Sequence, residues 1–168
     1  MDSPDHSYLK DQLKGTDLFD SLPDAALDQL ARSASLRRVP AKTNLFERNS
    51  PGEEFYLVQE GKVELIVTTH PSVPEDPLRD PLKKSSSEAV VRVVPPGEFF
   101  GELACLVENG TRTATAFAPR DCTLLVLPKG PFLQTLHDFP DAALAVLRQV
   151  ADRLRWHTDH LAKTVRKE

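Results

Sequence analysis

The spacing of hydrophobic positions changes twice along the chain. In the first 35 residues, Tyr8, Leu9, Leu13, Leu18 and Phe19 suggest a short helix followed by a docking segment. Leu22, Ala26, Leu27, Leu30 and Ala34 then recur at threes and fours. That spacing predicts a helix over about 22–35, with Ser21 as its cap and Pro23 in its first turn. From Ser35 the pattern shortens to runs of three to seven residues: Leu36 to Val39, Asn44 to Phe46, Phe55 to Gln59, Lys62 to Thr68, Ala89 to Val94, Thr113 to Ala118 and Cys122 to Pro128. Turn signals separate them at Asn49-Ser50-Pro51-Gly52, Glu60-Gly61, Pro95-Pro96-Gly97 and Pro119-Arg120-Asp121, so each run reads as a strand. After Pro128 helical spacing returns, with a short helix from Gly130 to His137 and a longer one over about Asp141 to Lys163. The longer helix carries an apolar stripe of Leu144, Leu147, Val150, Ala151, Leu154 and Leu161, suited to packing on the strands or to pairing with another copy.

This order predicts an α+β fold: an antiparallel β-roll, or jelly roll, of about eight short strands, with N-terminal helices and a C-terminal helical lid. One domain is expected over 1–168, made of a helical segment 1–35, a roll 36–128 and C-terminal helices 129–168. Within the roll, the stretch between Thr68 and Glu88 holds four prolines and four serines without periodicity. It is expected to be a long hairpin loop, with docking or phosphorylation at Ser85, Ser86 and Ser87 as the other reading.

The chemistry concentrates between residues 97 and 116. Pro95-Pro96-Gly97-Glu98 forces a turn, Gly101 permits a left-handed backbone, and Leu103 to Val107 can make a short helix. Unpaired N–H groups at the start of that helix, with the planar, permanently charged fork of Arg112, make an anion cradle beside the carboxylate of Glu102. A pairing of Glu102 with Arg112 across a loop is the plain structural alternative.

The string Phe100-Gly101-Glu102-Leu103-Ala104, followed by Arg112-Thr113-Ala114-Thr115, resembles the phosphate-binding cassette of the cyclic-nucleotide-binding domain family, found in catabolite-activator-type regulators and in kinase and channel regulatory modules. Ala41 to Phe46 and Pro51 to Leu65 are similar to that family's strands and glycine turns, and the resemblance runs over about residues 18–155. The long 69–88 connection departs from the family pattern. The resemblance implies a ligand, cAMP or cGMP, held at Gly101, Glu102, Leu103, Ala104, Arg112 and Thr113. Arg112 and backbone N–H groups would meet the phosphate, and Glu102 the ribose 2′-hydroxyl. Thr113 would bear on the choice of base. Trp156, the single tryptophan, is expected either to cap the base or to pack in a core or dimer face.

Composition narrows the classes. At 168 residues, with 40% hydrophobic and 27% charged positions, the chain suits one globular domain. No run reaches the roughly 20 apolar residues of a membrane span. With no signal-peptide pattern at the acidic start, a cytoplasmic location is expected. A net charge of −4 argues against nucleic-acid binding by this segment. Cys105 and Cys122 are expected as buried reduced thiols. His157, Asp159 and His160 lack a third clear metal ligand, no metal or cofactor is implied, and no catalytic constellation is found. Expected partners are the nucleotide, an attached effector domain or partner protein, and a second copy through the C-terminal helix. An interaction domain with the same fold and no nucleotide stays open, as does a cupin-like enzyme, although the latter would want histidines on the strands.

Overall fold

The computed structural model describes residues 5–16, 18–69 and 87–165. The order of elements is α1 (His6–Lys14), α2 (Asp24–Ser33), β1 (Ser35–Val39), β2 (Thr43–Phe46), β3 (Glu54–Glu60), β4 (Val63–Thr69), β5 (Ser87–Val94), β6 (Phe99–Phe100), α3 (Glu102–Leu106), β7 (Thr115–Ala118), β8 (Cys122–Pro128), α4 (Lys129–Asp138) and α5 (Pro140–Val165). Two compact units account for the chain: residues 36–126, and residues 1–35 with 127–168.

Residues 36–126 form the roll. Its two four-stranded sheets run in the order β1-β8-β3-β6 and β2-β7-β4-β5, and the pairs β2/β7, β3/β6, β4/β5 and β4/β7 are antiparallel. The eight strands form the expected antiparallel roll. Side chains from both sheets meet in one core: Val39, Tyr56, Val58, Phe100, Leu124 and Val126 from one, Val63, Val94, Ala116 and Ala118 from the other. Period-2 alternation explains the selection, because residues two apart on a strand share a face. Glu54, Tyr56 and Val58 therefore share one face of β3, and Arg37 shares a face of β1 with Val39.

Glycines shape the roll where no other residue fits. Gly61 has φ +82°, and a Cβ there would lie 2.6 Å from the carbonyl oxygen of Asp121. β6 is a strand missing from the sequence reading. Only two residues long, it pairs Tyr56 with Phe100 and Leu57 with Phe99, and it is too short to show alternation. Its entry is fixed by the Gly97 N–H donating to the Val58 carbonyl at 2.8 Å. Arg92 adds a bond to Glu98 at 2.7 Å and one to the Phe99 carbonyl at 3.2 Å.

In the helical unit, α1 is capped by Asp5, whose carboxylate accepts from the Ser7 N–H at 3.3 Å. The expected Ser21 cap of α2 is not formed. Pro23 occupies the N-cap position without a side-chain bond, since its fixed φ leaves the next residue to open the helix. The buried face of α2 is Ala26, Leu27, Leu30 and Ala31. On α5, Ala142 and Val146 are buried, while Leu144, Leu147 and Leu154 are exposed, Leu147 by 62%. The anticipated stripe is thus not packed within one chain over Leu144, Leu147 and Leu154. Residues 70–86, the bulk of the 69–88 stretch with Ser85 and Ser86, lie outside the described residues, as do the side chains of Ser87, Trp156, His157, Asp159 and His160. No helix among the described residues is long and apolar enough to cross a membrane. Among them no group of three or more His, Cys, Asp or Glu could hold a metal ion.

Candidate functional site: an arginine cradle at one end of the roll

The site begins with Gly101. Its φ of +83° turns the chain from β6 into α3, and a Cβ there would stand 2.6 Å from Nη1 of Arg112. A side chain at 101 would therefore both strain the backbone and displace the arginine. The helix that follows is only Glu102–Leu106. The first-turn N–H groups, those of Glu102, Leu103 and Ala104, have no acceptor inside the helix. Glu102 and Ala104 are buried and Leu103 is exposed.

Ala104 seats this helix against two glycines. A Cβ on Gly52 would fall 2.2 Å from the Ala104 Cβ, and one on Gly110 would fall 2.2 Å from the Ala104 carbonyl oxygen. Gly52 N–H donates to the Gly110 carbonyl at 3.2 Å, so the β2–β3 connection and the segment ahead of β7 close around the helix. Arg112 is fixed in the same way, its N–H donating to Ser50 and its carbonyl accepting from Asn49, both at 2.8 Å.

The guanidinium of Arg112 is turned inward, and the residue is only 3% exposed. Nη1 donates to the Gly101 carbonyl at 2.8 Å and Nη2 to the Glu54 carbonyl at 2.6 Å. Its carbon Cζ lies 4.0 Å from the centroid of the Phe46 ring and 5.7 Å from that of Tyr56. Nε is buried and has no hydrogen-bond partner among the described residues. Dipoles and aromatic faces hold a cation in place, but they do not neutralise it.

Around it stands an aromatic floor. Tyr56 stacks on Phe100 at 5.0 Å and on Phe46 at 5.9 Å. The Tyr56 hydroxyl donates to Oε1 of Glu54 at 2.8 Å, and Arg37 grips both oxygens of the same carboxylate at 2.6 and 3.1 Å. Partial burial pushes the Glu54 carboxyl up, but the bonds from Arg37 and Tyr56 and the charges of Arg37 and Arg112 outweigh it, leaving it below the usual range. Burial, with Glu54 beside it, pushes the Tyr56 phenol well above its ordinary value. The Glu54 bond holds Arg37 still more firmly protonated.

All six expected ligand residues lie in this loop and helix: Glu102, Ala104 and Arg112 are buried, Gly101 is partly buried, and Leu103 and Thr113 are exposed. Arg37, Phe46, Glu54 and Tyr56 were missed. The strand period alone puts Glu54 in line with Tyr56 and Arg37 in line with Val39, but it does not show that the two charges meet; the order β1-β8-β3 in one sheet does. Cys105 and Cys122 are buried thiols outside any disulfide, as expected; the Cys105 thiol points to the Gly52 carbonyl at 3.7 Å.

Residues 36–139 match the family model described as cyclic nucleotide-binding domain. The chain belongs to this family. It is 33% identical to a cyclic AMP receptor protein of Thermus thermophilus over 85% of this chain and 59% of that protein. It is 30% identical to a cAMP-dependent protein kinase regulatory subunit of Yarrowia lipolytica over 72% of this chain and 27% of that one. Among solved structures, the N-terminal domain of a Streptomyces coelicolor transcriptional regulator superposes with a TM-score of 0.64 at 35% identity, covering 88% of this chain and 95% of that one. This chain spans 59% of the length of the first of these relatives and 27% of the second.

Proposed function

We propose that the roll is a sensor for a cyclic nucleotide, cAMP or cGMP, and that binding repositions the C-terminal helix to control an attached domain or a partner protein. The buried guanidinium of Arg112 carries this reading. It is bonded to neutral carbonyls, with Nε left over, an arrangement suited to a ligand that brings one negative charge. In this assignment the phosphate sits against Arg112 and the first-turn N–H groups of α3, and Glu102 accepts from the ribose 2′-hydroxyl. Gly101, Leu103, Ala104 and Thr113 line the approach. No residue is assigned a catalytic role. The exposed Leu144, Leu147 and Leu154 of α5 suit a pairing with a second copy once the helix is repositioned.

Helix movement requires that ligand bind the two helix positions with different affinity. Trp156 would then cap the base. The test is titration with each nucleotide together with hydrogen exchange. Saturating ligand should slow exchange over residues 150–162 and change Trp156 fluorescence. Identical exchange with and without bound nucleotide would refute the lid, and absence of binding by either nucleotide would refute the sensor.

A further inference from the structure

An anion site gains nothing from a carboxylate at its rim, yet Glu54 puts one there. The residue whose carbonyl takes Nη2 of Arg112 at 2.6 Å also carries a negative side chain, partly buried, whose field reaches that arginine. Unopposed, it would cancel part of the charge that the phosphate is to meet and would repel the phosphate itself.

Arg37 removes this conflict. It comes from β1, reaches Glu54 past the intervening β8, and takes both carboxylate oxygens in a fork-to-fork pair. Its guanidinium lies 5.9 Å from the centroid of the same Tyr56 ring that Arg112 approaches. Its side chain is 47% exposed against 29% for Glu54, so solvent screens the pair and its contribution to folding is modest. The placement has a better use in the site. We propose that Arg37 is a positioning residue for the ligand: by neutralising Glu54 it leaves the charge of Arg112 available to the phosphate. This rests on the cyclic-nucleotide reading and adds to it a residue outside the cassette.

The test is calorimetric titration of the full chain with cAMP and with cGMP, with melting temperatures measured alongside. The proteins are the wild type, Arg37→Gln, Arg37→Lys, Glu54→Gln and the double variant Arg37→Gln/Glu54→Gln. Arg37→Gln should bind about tenfold more weakly, and less so at high salt. Arg37→Lys should remain within about threefold of wild type, because it keeps the charge. The double variant should recover to within about threefold, since a carboxamide needs no counter-charge. Affinity lost in Arg37→Gln and rescued in the double variant while the melting temperatures stay level is a result that a merely structural role for Arg37 would not give. Arg37→Gln that binds like wild type, or a double variant as weak as Arg37→Gln, overturns the proposal while leaving the sensor in place. A wild type that binds neither nucleotide overturns both.

Discussion

Arg37 and Arg112 approach the same Tyr56 ring, at 5.9 and 5.7 Å, but they are held in opposite ways. Arg37 is half exposed and closes on a carboxylate; Arg112 is buried and closes on two carbonyls. A charge paired with a charge is a finished interaction. A charge held by carbonyl dipoles and aromatic faces is fixed in position yet still available, and desolvation makes it more responsive to an incoming anion. Of the two sites, only Arg112 is built to receive something.

The largest effect should come from removing the available charge. Arg112→Ala should weaken nucleotide binding by roughly 2–5 kcal/mol, by analogy with truncated buried charge partners, or about thirtyfold and more. Titration of the purified variant gives the answer, and an affinity equal to wild type would break the distinction between the two arginines. Arg112→Lys keeps the charge without the fork and should fall between.

Next in size is the frame that holds Arg112. At Gly110 an added Cβ would stand 2.2 Å from a backbone oxygen of Ala104, whereas at Gly97 it would meet nothing within 4 Å. Gly110→Ala should therefore cost about 1–3 kcal/mol by overpacking, lowering the melting temperature by roughly 2–4 °C per kcal/mol. Gly97→Ala meets only its φ of +87° and should cost about 1 kcal/mol. If the two melt alike, the closeness of the cassette to Ala104 is not what holds it.

The paired arginine has a pH signature of its own. The folded Glu54 carboxyl lies below its ordinary 4.5, so its contribution to stability is present above that value and is lost as pH falls through the depressed folded value. Acid titration monitored by circular dichroism should show part of the stability loss below about pH 4.5 disappear in Glu54→Gln. An unchanged acid limb would mean that the Arg37–Glu54 pair is idle in folding.

The roll was legible because glycine and proline punctuate it: Gly61, Pro95-Pro96-Gly97 and Gly101 each stand where a turn occurs. The cassette was legible because Gly101 and Arg112 are residue types with few structural substitutes. Glu54 and Arg37 were hidden for the opposite reason. A charged residue near the end of a strand usually belongs to a solvated rim, and only the pairing of β1, β8 and β3 in one sheet brings these two together. The stripe on α5 shows another limit: periodicity gave a helix with an apolar face, but which residues are covered depends on packing. Ala142 and Val146 are buried where Leu144 and Leu147 are not.

The smallest effect concerns the base. Thr113 follows Arg112 in the chain and is exposed, so its hydroxyl is free of the core and open to a ligand. A hydroxyl both donates and accepts, and guanine offers a 2-amino donor that adenine lacks. One neutral hydrogen bond contributes about 0.5–1.5 kcal/mol, which caps any preference at about tenfold. Both nucleotides should therefore bind, and Thr113→Ala should move the affinity ratio toward cAMP by about two- to tenfold without changing the melting temperature. In the proposed assignment Arg112 meets the phosphate that both ligands share, so Arg112→Lys should weaken them equally and leave the ratio alone. Competition titrations on the two variants separate the roles. A ratio that shifts with Arg112→Lys but not with Thr113→Ala would assign base choice to the arginine and leave Thr113 as a surface residue.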